Sequence, residues 1–275
     1  MTKWNRAPEE TGPTGSTPGA VTRTERDDTG RDAWEAVFGP VERPALELRS
    51  VKAAYGRIQV LHGIDLVVPT GSVVALLGPN GAGKSTTLKV ACGQLEPTAG
   101  GLVVGGRLLN GVSPAALSRV GVCTIPEGRG VFPNLTVRDN LRMATYAGAS
   151  LADIEERTYD QFPRLGERRR QLAGTMSGGE QQMLAMARAL TTNPAVLLLD
   201  ELSMGLAPRI VEELYEQVGR IAADGVSILI VEQFARTVMQ VADALGLMLS
   251  GRMVKIGRPD ELEDDLSRAY LGAEV

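Results

Sequence analysis

Eight consecutive residues, Gly78-Pro79-Asn80-Gly81-Ala82-Gly83-Lys84-Ser85, constrain this chain more than any other stretch. They fit G-x-x-x-x-G-K-[ST], a loop whose backbone N–H groups turn inward onto phosphate oxygens. The flanks agree. Val73 to Leu77 is an unbroken apolar run that predicts a buried strand entering the loop, and Ser85 to Cys92 predicts a helix leaving it. The N-terminal end of that helix adds partial positive charge. Lys84 can reach outer phosphates, and the Ser85 hydroxyl can hold Mg²⁺.

Similar apolar runs recur downstream. Val120 to Ile125 is one; Ala195 to Leu199 ends in Asp200-Glu201; Ser227 to Val231 ends in Glu232-Gln233. Unbroken apolar strands alternating with helices predict an α/β fold, a parallel sheet covered on both faces. Ligands of such sheets bind beyond the carboxyl ends of the strands. Polar residues after Leu77, Leu199 and Val231 should therefore gather at one edge. Leu46 to Val51 and Gly63 to Val68 alternate like half-exposed strands, with a turn at Pro69-Thr70-Gly71. Gly101 to Leu109 reads as a strand pair, and about 136–171 as charged, helix-compatible chain. There is no internal repeat.

Residues 1–43 differ. They are rich in Thr, Gly, Pro, Asp, Glu and Arg, with few aliphatics, and read as a disordered tail ahead of a folded domain over 44–275. Trp34, Val37 and Phe38 share a helical face; the reading favoured by composition is a chance cluster in the tail, the other a segment docking on a partner or on the domain itself. Both tryptophans, Trp4 and Trp34, fall in this region, so solvent-exposed emission and trimming to near Ala45 are expected. A net charge of −4 gives no basic surplus for nucleic acid. No apolar run approaches the ~20 residues of a membrane span, and the N-terminus lacks a signal pattern. Cys92 and Cys123 read as reduced core thiols.

Asp200 stands where a second Mg²⁺-holding group belongs in a phosphate-loop NTPase, and Glu201 could orient or deprotonate an attacking water. Met176-Ser177-Gly178-Gly179-Glu180-Gln181-Gln182 precedes a helical pattern that Ser177 can cap. Together these motifs resemble ATP-binding cassette proteins: the loop, then the signature, then Ala195 to Glu201 as the Walker B strand. The segments Ile125-Pro126-Glu127-Gly128-Arg129, Phe162-Pro163-Arg164-Leu165, Gly205-Leu206-Ala207-Pro208 and Val231-Glu232-Gln233 are similar to LivF-type ATPases of branched-chain amino-acid importers.

The resemblance implies roles. Tyr55 would stack on adenine; Gly78, Pro79, Asn80, Gly81, Ala82, Gly83, Lys84, Ser85 and Thr86 would hold ATP; Ser85 and Asp200 would hold Mg²⁺. Ser177, Gly178 and Gly179 would contact the ATP of a second ABC ATPase subunit, a copy or a paralogue. Lys84, Glu127, Glu201 and Gln233 would serve the reaction. About 128–175 would form a helical subdomain receiving a transmembrane permease, at the cytoplasmic face of the cell membrane, with a solute receptor engaged indirectly and no nucleic acid. Four positions depart from the general cassette pattern: Glu127 for Gln, Glu180 for Gln, Gln233 for His and Leu202 for Pro. The sole histidine, His62, reads as lying ahead of an early strand and away from the site, so no imidazole should titrate there. A soluble cassette ATPase unconnected with transport and a weakly hydrolysing ATP-binding module stay open. Intact Lys84, Ser85, Asp200 and Glu201 count against the second.

Overall fold

The computed structural model describes residues 29–128, 130–233 and 235–271; residues 1–28, most of the stretch read as a tail, lie outside the described residues. Two sheets organise the chain. One is antiparallel, in the order β2-β1-β4-β5: β1 (Leu46–Tyr55), β2 (Ile58–Val68), β4 (Ala99–Val104) and β5 (Arg107–Leu108). The other has six strands in the order β10-β9-β3-β8-β7-β6: β3 (Val73–Leu77), β6 (Val122–Ile125), β7 (Val196–Asp200), β8 (Ser227–Glu232), β9 (Ala244–Leu249) and β10 (Arg252–Gly257). Its members pair parallel except β10, which returns antiparallel on β9.

Side-chain alternation along the strands divides two cores, as the period of two requires. Val73, Ala75, Leu77, Leu197, Leu199 and Ile228 join one cluster with Leu184 of α7 (Gly178–Leu190) and Leu214 of α8 (Pro208–Ala223). Val74, Leu76, Leu198, Leu229 and Val231 join the other, with Leu88 of α2 (Lys84–Ala91) and with Leu48 and Leu66 of the antiparallel sheet. Both faces of the parallel strands are covered, which is why their sequences read as unbroken apolar runs. The stretch 128–175 holds α4 (Val137–Arg142), α5 (Leu151–Gln161) and α6 (Pro163–Glu167), of which α4 and α6 pack on α7. Ser113 caps α3 (Pro114–Arg119), Thr136 caps α4 and Ser150 caps α5, each accepting from a backbone N–H of the first turn.

The tail reading is corrected at its end. Residues Thr29–Phe38 form a helix, α1, with Trp34 fully buried and not solvent-exposed. The Trp34 indole N–H donates to the Asp65 carbonyl at 3.0 Å. Arg31 pairs with Glu47 at 2.7 Å and Glu35 at 2.8 Å, and donates to the Val41 carbonyl at 2.8 Å. The helix rests on β2 and β10, an edge strand of each sheet, and so joins the two sheets. Composition misled because the local segment is polar; its apolar partners lie far along the chain. Intrinsic fluorescence should therefore show a blue-shifted component that disappears in Trp34→Phe. Limited proteolysis should leave a product starting at or before Thr29, and one starting near Ala45 would contradict the docked helix.

Candidate nucleotide site

Strand register brings the site together. Leu77 pairs with Glu232, Val231 with Asp200, and Leu199 with Ile125. The residues that follow these ends, Gly78, Gln233, Glu201 and Pro126-Glu127, therefore emerge side by side along one sheet edge, as the position of ligands in such sheets requires.

Gly78 to Gly83 cross from β3 to α2. Gly78 has φ +149, and a Cβ there would lie 2.2 Å from the Met248 carbonyl of β9. Gly83, with φ +105, is the N-cap of α2 and offers no side-chain capping bond, in contrast to Ser113, Thr136 and Ser150 on α3 to α5. The first-turn N–H groups of α2 thus face an anion site by default. Asn80 and Gly81 form the exposed rim; Ala82 and Thr86 are buried and Ser85 is half-buried. Lys84 is buried, its ammonium donating to the carbonyls of Gly78 at 2.8 Å and Pro79 at 3.2 Å. Burial lowers its pKa, opposed by the negative charges of Glu201, Asp200 and Glu232.

Asp200 shows the fit for a cation. Its Oδ1 is buried and has no hydrogen-bond partner among the described residues. Burial pushes its carboxyl up from 3.8 to about 6, reinforced by Glu201, Glu127 and Glu232 and opposed by Lys89. An orphaned buried carboxylate oxygen among like charges, beside the Lys84-Ser85 helix start, suits Mg²⁺, which takes one or two protein oxygens and otherwise phosphate and water. Glu201, raised mainly by burial, has φ +46, and its N–H donates to the Val231 carbonyl at 2.9 Å. A left-handed glutamate is backbone strain of the kind that clusters at active sites.

The Asp200 shift has a definite sign. The folded carboxyl keeps its proton where the unfolded one has lost it, so the contribution is present below 3.8 and lost as pH rises through about 6. In metal-free protein, the thermal midpoint of Asp200→Asn should gain on wild type between about pH 4 and pH 7. Parallel profiles would refute the buried, unpaired carboxylate. A carboxyl raised to about 6 therefore stands at the site, beside the expectation that no imidazole titrates there. His62 itself lies within β2, not ahead of a strand; its backbone N–H donates to the Gly251 carbonyl, and the Gly251 backbone N–H donates to the Ala82 carbonyl of the phosphate loop.

Other expected residues fall in two groups. Tyr55 ends β1 with the Lys89 ammonium of α2 5.6 Å from its ring centre, so it stands beside the helix that leaves the loop. Ser177 caps α7, and Gly178 and Gly179 start it; among the described residues that helix packs on α4, α6, α8 and β6 rather than on α2. Ser177 is exposed, and a Cβ on Gly179 would lie 2.1 Å from Ile210 of α8. Two departures gain physical reasons. Glu180 closes a capping box with Ser177 and pairs with Arg168 at 3.0 Å. Leu202 is fully buried in the cluster with Leu199 and Leu214. Glu127 is exposed, and its charge reaches Asp200 and Glu201. Sequence reasoning missed Glu232, a carboxylate buried at the end of β8. The signals were a charge closing an apolar run and its place in the Val231-Glu232-Gln233 segment.

Comparison with known proteins agrees with this geometry. The model of the ABC transporter family matches residues 61–203. The high-affinity branched-chain amino acid transport ATP-binding protein BraG of Pseudomonas aeruginosa is 41% identical over 215 residues, covering 76% of this chain and 91% of that protein. The probable branched-chain amino acid transport ATP-binding protein LivF of Archaeoglobus fulgidus is 36% identical over 220 residues, covering 78% of this chain and 93% of that protein. Among solved structures, the ADP conformation of an ATP-binding cassette of an ABC transporter superposes with a TM-score of 0.75 at 25% identity, covering 83% of this chain and 99% of that one.

Proposed function

The chain belongs to the ABC transporter family as an ATPase of the LivF type, and on that premise we propose that it is the energy-coupling subunit of an importer for branched-chain or other amino acids. The observation that carries the reading is the shared sheet edge. It gathers Lys84, Asp200, Glu201 and Glu127 around the uncapped start of α2.

The division of labour follows from the chemistry. The backbone of 78–83 and the α2 N-terminus hold the phosphates of ATP, and the Lys84 ammonium reaches the outer ones. Tyr55 offers an aromatic face to adenine. Ser85 and Asp200 would hold Mg²⁺, which when bound supplies positive charge against the phosphate oxygens. Glu201 orients the attacking water and accepts its proton. Gln233, opposite Gly78 by register, donates its amide to the terminal phosphate. The exposed Ser177 at the cap of α7 supports the reading that Ser177, Gly178 and Gly179 serve the ATP of a second subunit. ATPase assays with and without Mg²⁺ test the scheme. Gln233→Ala should cost about 1–3 kcal/mol of transition-state stabilisation, as for a hydrogen bond to a charged group, with little loss of ATP affinity. Unchanged turnover would remove Gln233 from the mechanism.

No helix among the described residues is long and apolar enough to cross a membrane; in this reading a permease partner supplies the membrane attachment. A cleft between β6 and the segment 130–146 supports one. Thr124, Met143, Tyr146 and Arg188 line it. Tyr146 is 77% exposed and Met143 50%. The Arg188 guanidinium lies 4.6 Å from the Phe132 ring centre. Exposed aromatic and Met side chains with an arginine are the composition of a protein-binding hot spot. The occupant would be a cytoplasmic helix of the permease, placing the protein at the inner membrane face. Tyr146→Ala with Met143→Ala should leave basal ATPase activity intact and abolish co-purification with membranes that carry the permease.

A further inference from the structure

Glu232 lies at the nucleotide end of β8, and nothing in the scheme above uses it. It is 1% exposed. Its Oε1 accepts from the Ser203 backbone N–H at 2.9 Å and from the Tyr215 hydroxyl at 2.8 Å, and its Oε2 accepts from the Ser203 hydroxyl at 2.9 Å. Tyr215 is itself buried on α8, and burial together with the Glu232 charge pushes its phenol well above the ordinary 10, so it donates at every physiological pH.

The neighbours of Glu232 give this arrangement its meaning. Val231, before it, accepts from the N–H of Glu201 at 2.9 Å. Gln233 follows it. Two consecutive residues thus hold the backbone of Glu201 and Ser203 two residues further on, and the next, Gln233, leaves the strand that pairs with the one feeding the phosphate loop. Glu201 sits at φ +46, a conformation a glutamate keeps only when its surroundings over-determine it. A buried carboxylate is expensive unless its lone pairs are engaged, and a hydrophobic residue of similar size fills a core as well. What the carboxylate adds here is geometry: it fixes both the backbone and the hydroxyl of Ser203, which an apolar side chain cannot do.

We propose that Glu232 is a positioning residue for hydrolysis, a buried brace that sets the turn after β7 so that the Glu201 carboxylate meets the attacking water. The proposal rests on the reading of Glu201 given above. It acts through Glu201 and touches no substrate.

The experiment measures kcat, KM and the Kd for ATP in the full chain. Glu232→Ala should lower kcat about 10–100-fold and leave the Kd within about threefold. Glu232→Gln can accept on one oxygen from Ser203 N–H and Tyr215 and donate its amide to the Ser203 hydroxyl, so it should recover kcat to within about threefold. Ser203→Ala and Tyr215→Phe each remove one arm, should show smaller losses of the same kind, and serve if Glu232→Ala does not fold. In single turnovers, adding Glu232→Ala to Glu201→Gln should cost little beyond Glu201→Gln alone, because the brace works through that residue. Wild-type kcat in Glu232→Ala, or in Ser203→Ala with Tyr215→Phe, would overturn the brace. So would a full additional loss in the double variant. Wild-type turnover in Glu201→Gln would instead overturn the role of Glu201.

Discussion

Glu201→Gln should lower ATP turnover about 10²–10⁴-fold, the usual contribution of a general base, while ATP still binds. The substitution keeps the size of the side chain and removes its ability to accept a proton. Phosphoryl transfer depends on positioning and charge, so loss of the group that orients water is felt in kcat. The phosphate loop, Lys84 and the uncapped α2 start are untouched, so affinity stays. Lys84→Ala makes the converse case: its ammonium is buried at the loop, so affinity itself should fall. The slow Glu201→Gln variant should also hold ATP long enough to reveal assembly. Ser177, the cap of α7, is exposed, and the helix it starts packs on α4, α6, α8 and β6 rather than on α2. A closed dimer is therefore expected with ATP and not with ADP, read by size-exclusion chromatography with light scattering. A protein that stays monomeric with ATP would point to a paralogue as the second subunit. Turnover at the wild-type rate would remove Glu201 from the mechanism.

Trp34→Ala should destabilise the protein by about 3–5 kcal/mol, the range for truncating a large buried aromatic. At this chain length that corresponds to a thermal midpoint lower by about 6–20 °C. Trp34 is fully buried on the helix that rests on β2 and β10, in the cluster that contains Leu46, Ile64 and Leu66. Its removal leaves a cavity and takes away the indole N–H that donates to the Asp65 carbonyl. Trp34→Phe keeps most of the buried area and should cost about 1 kcal/mol more than its small volume change, for the lost hydrogen bond. Calorimetry of both variants separates the two contributions. An unchanged midpoint in Trp34→Ala would mean that α1 does not bear on the two sheets. The nucleotide site lies on a different edge, so ATP affinity at a temperature where the variant is folded should hold.

Much of the site was legible because its pieces are local. A phosphate loop is a contiguous run whose glycines and lysine must be neighbours in sequence, and Val73 to Leu77 announces its strand. Asp200 and Glu201 close an apolar strand in the same way. The strands buried on both faces, β3, β7 and β8, were readable for that reason, whereas the polar alternation of β10 and the equally apolar β9 were not singled out.

The sequence by itself determined the α/β class, the phosphate loop, the strand-end carboxylates and the signature that starts α7. Those features depend on residues within a few positions of one another, where periodicity, turn chemistry and helix capping act. The tertiary structure alone decided what depends on partners distant in the chain. Trp34 looked like part of a polar tail until β2 and β10 supplied its apolar surroundings. Leu202 looked like an unexplained replacement until Leu199 and Leu214 closed over it. Glu232 looked like a charge after a strand until Ser203 and Tyr215 converged on it. Burial and hydrogen bonding across such separations are set by sheet order and register, and those are fixed only when the whole chain packs.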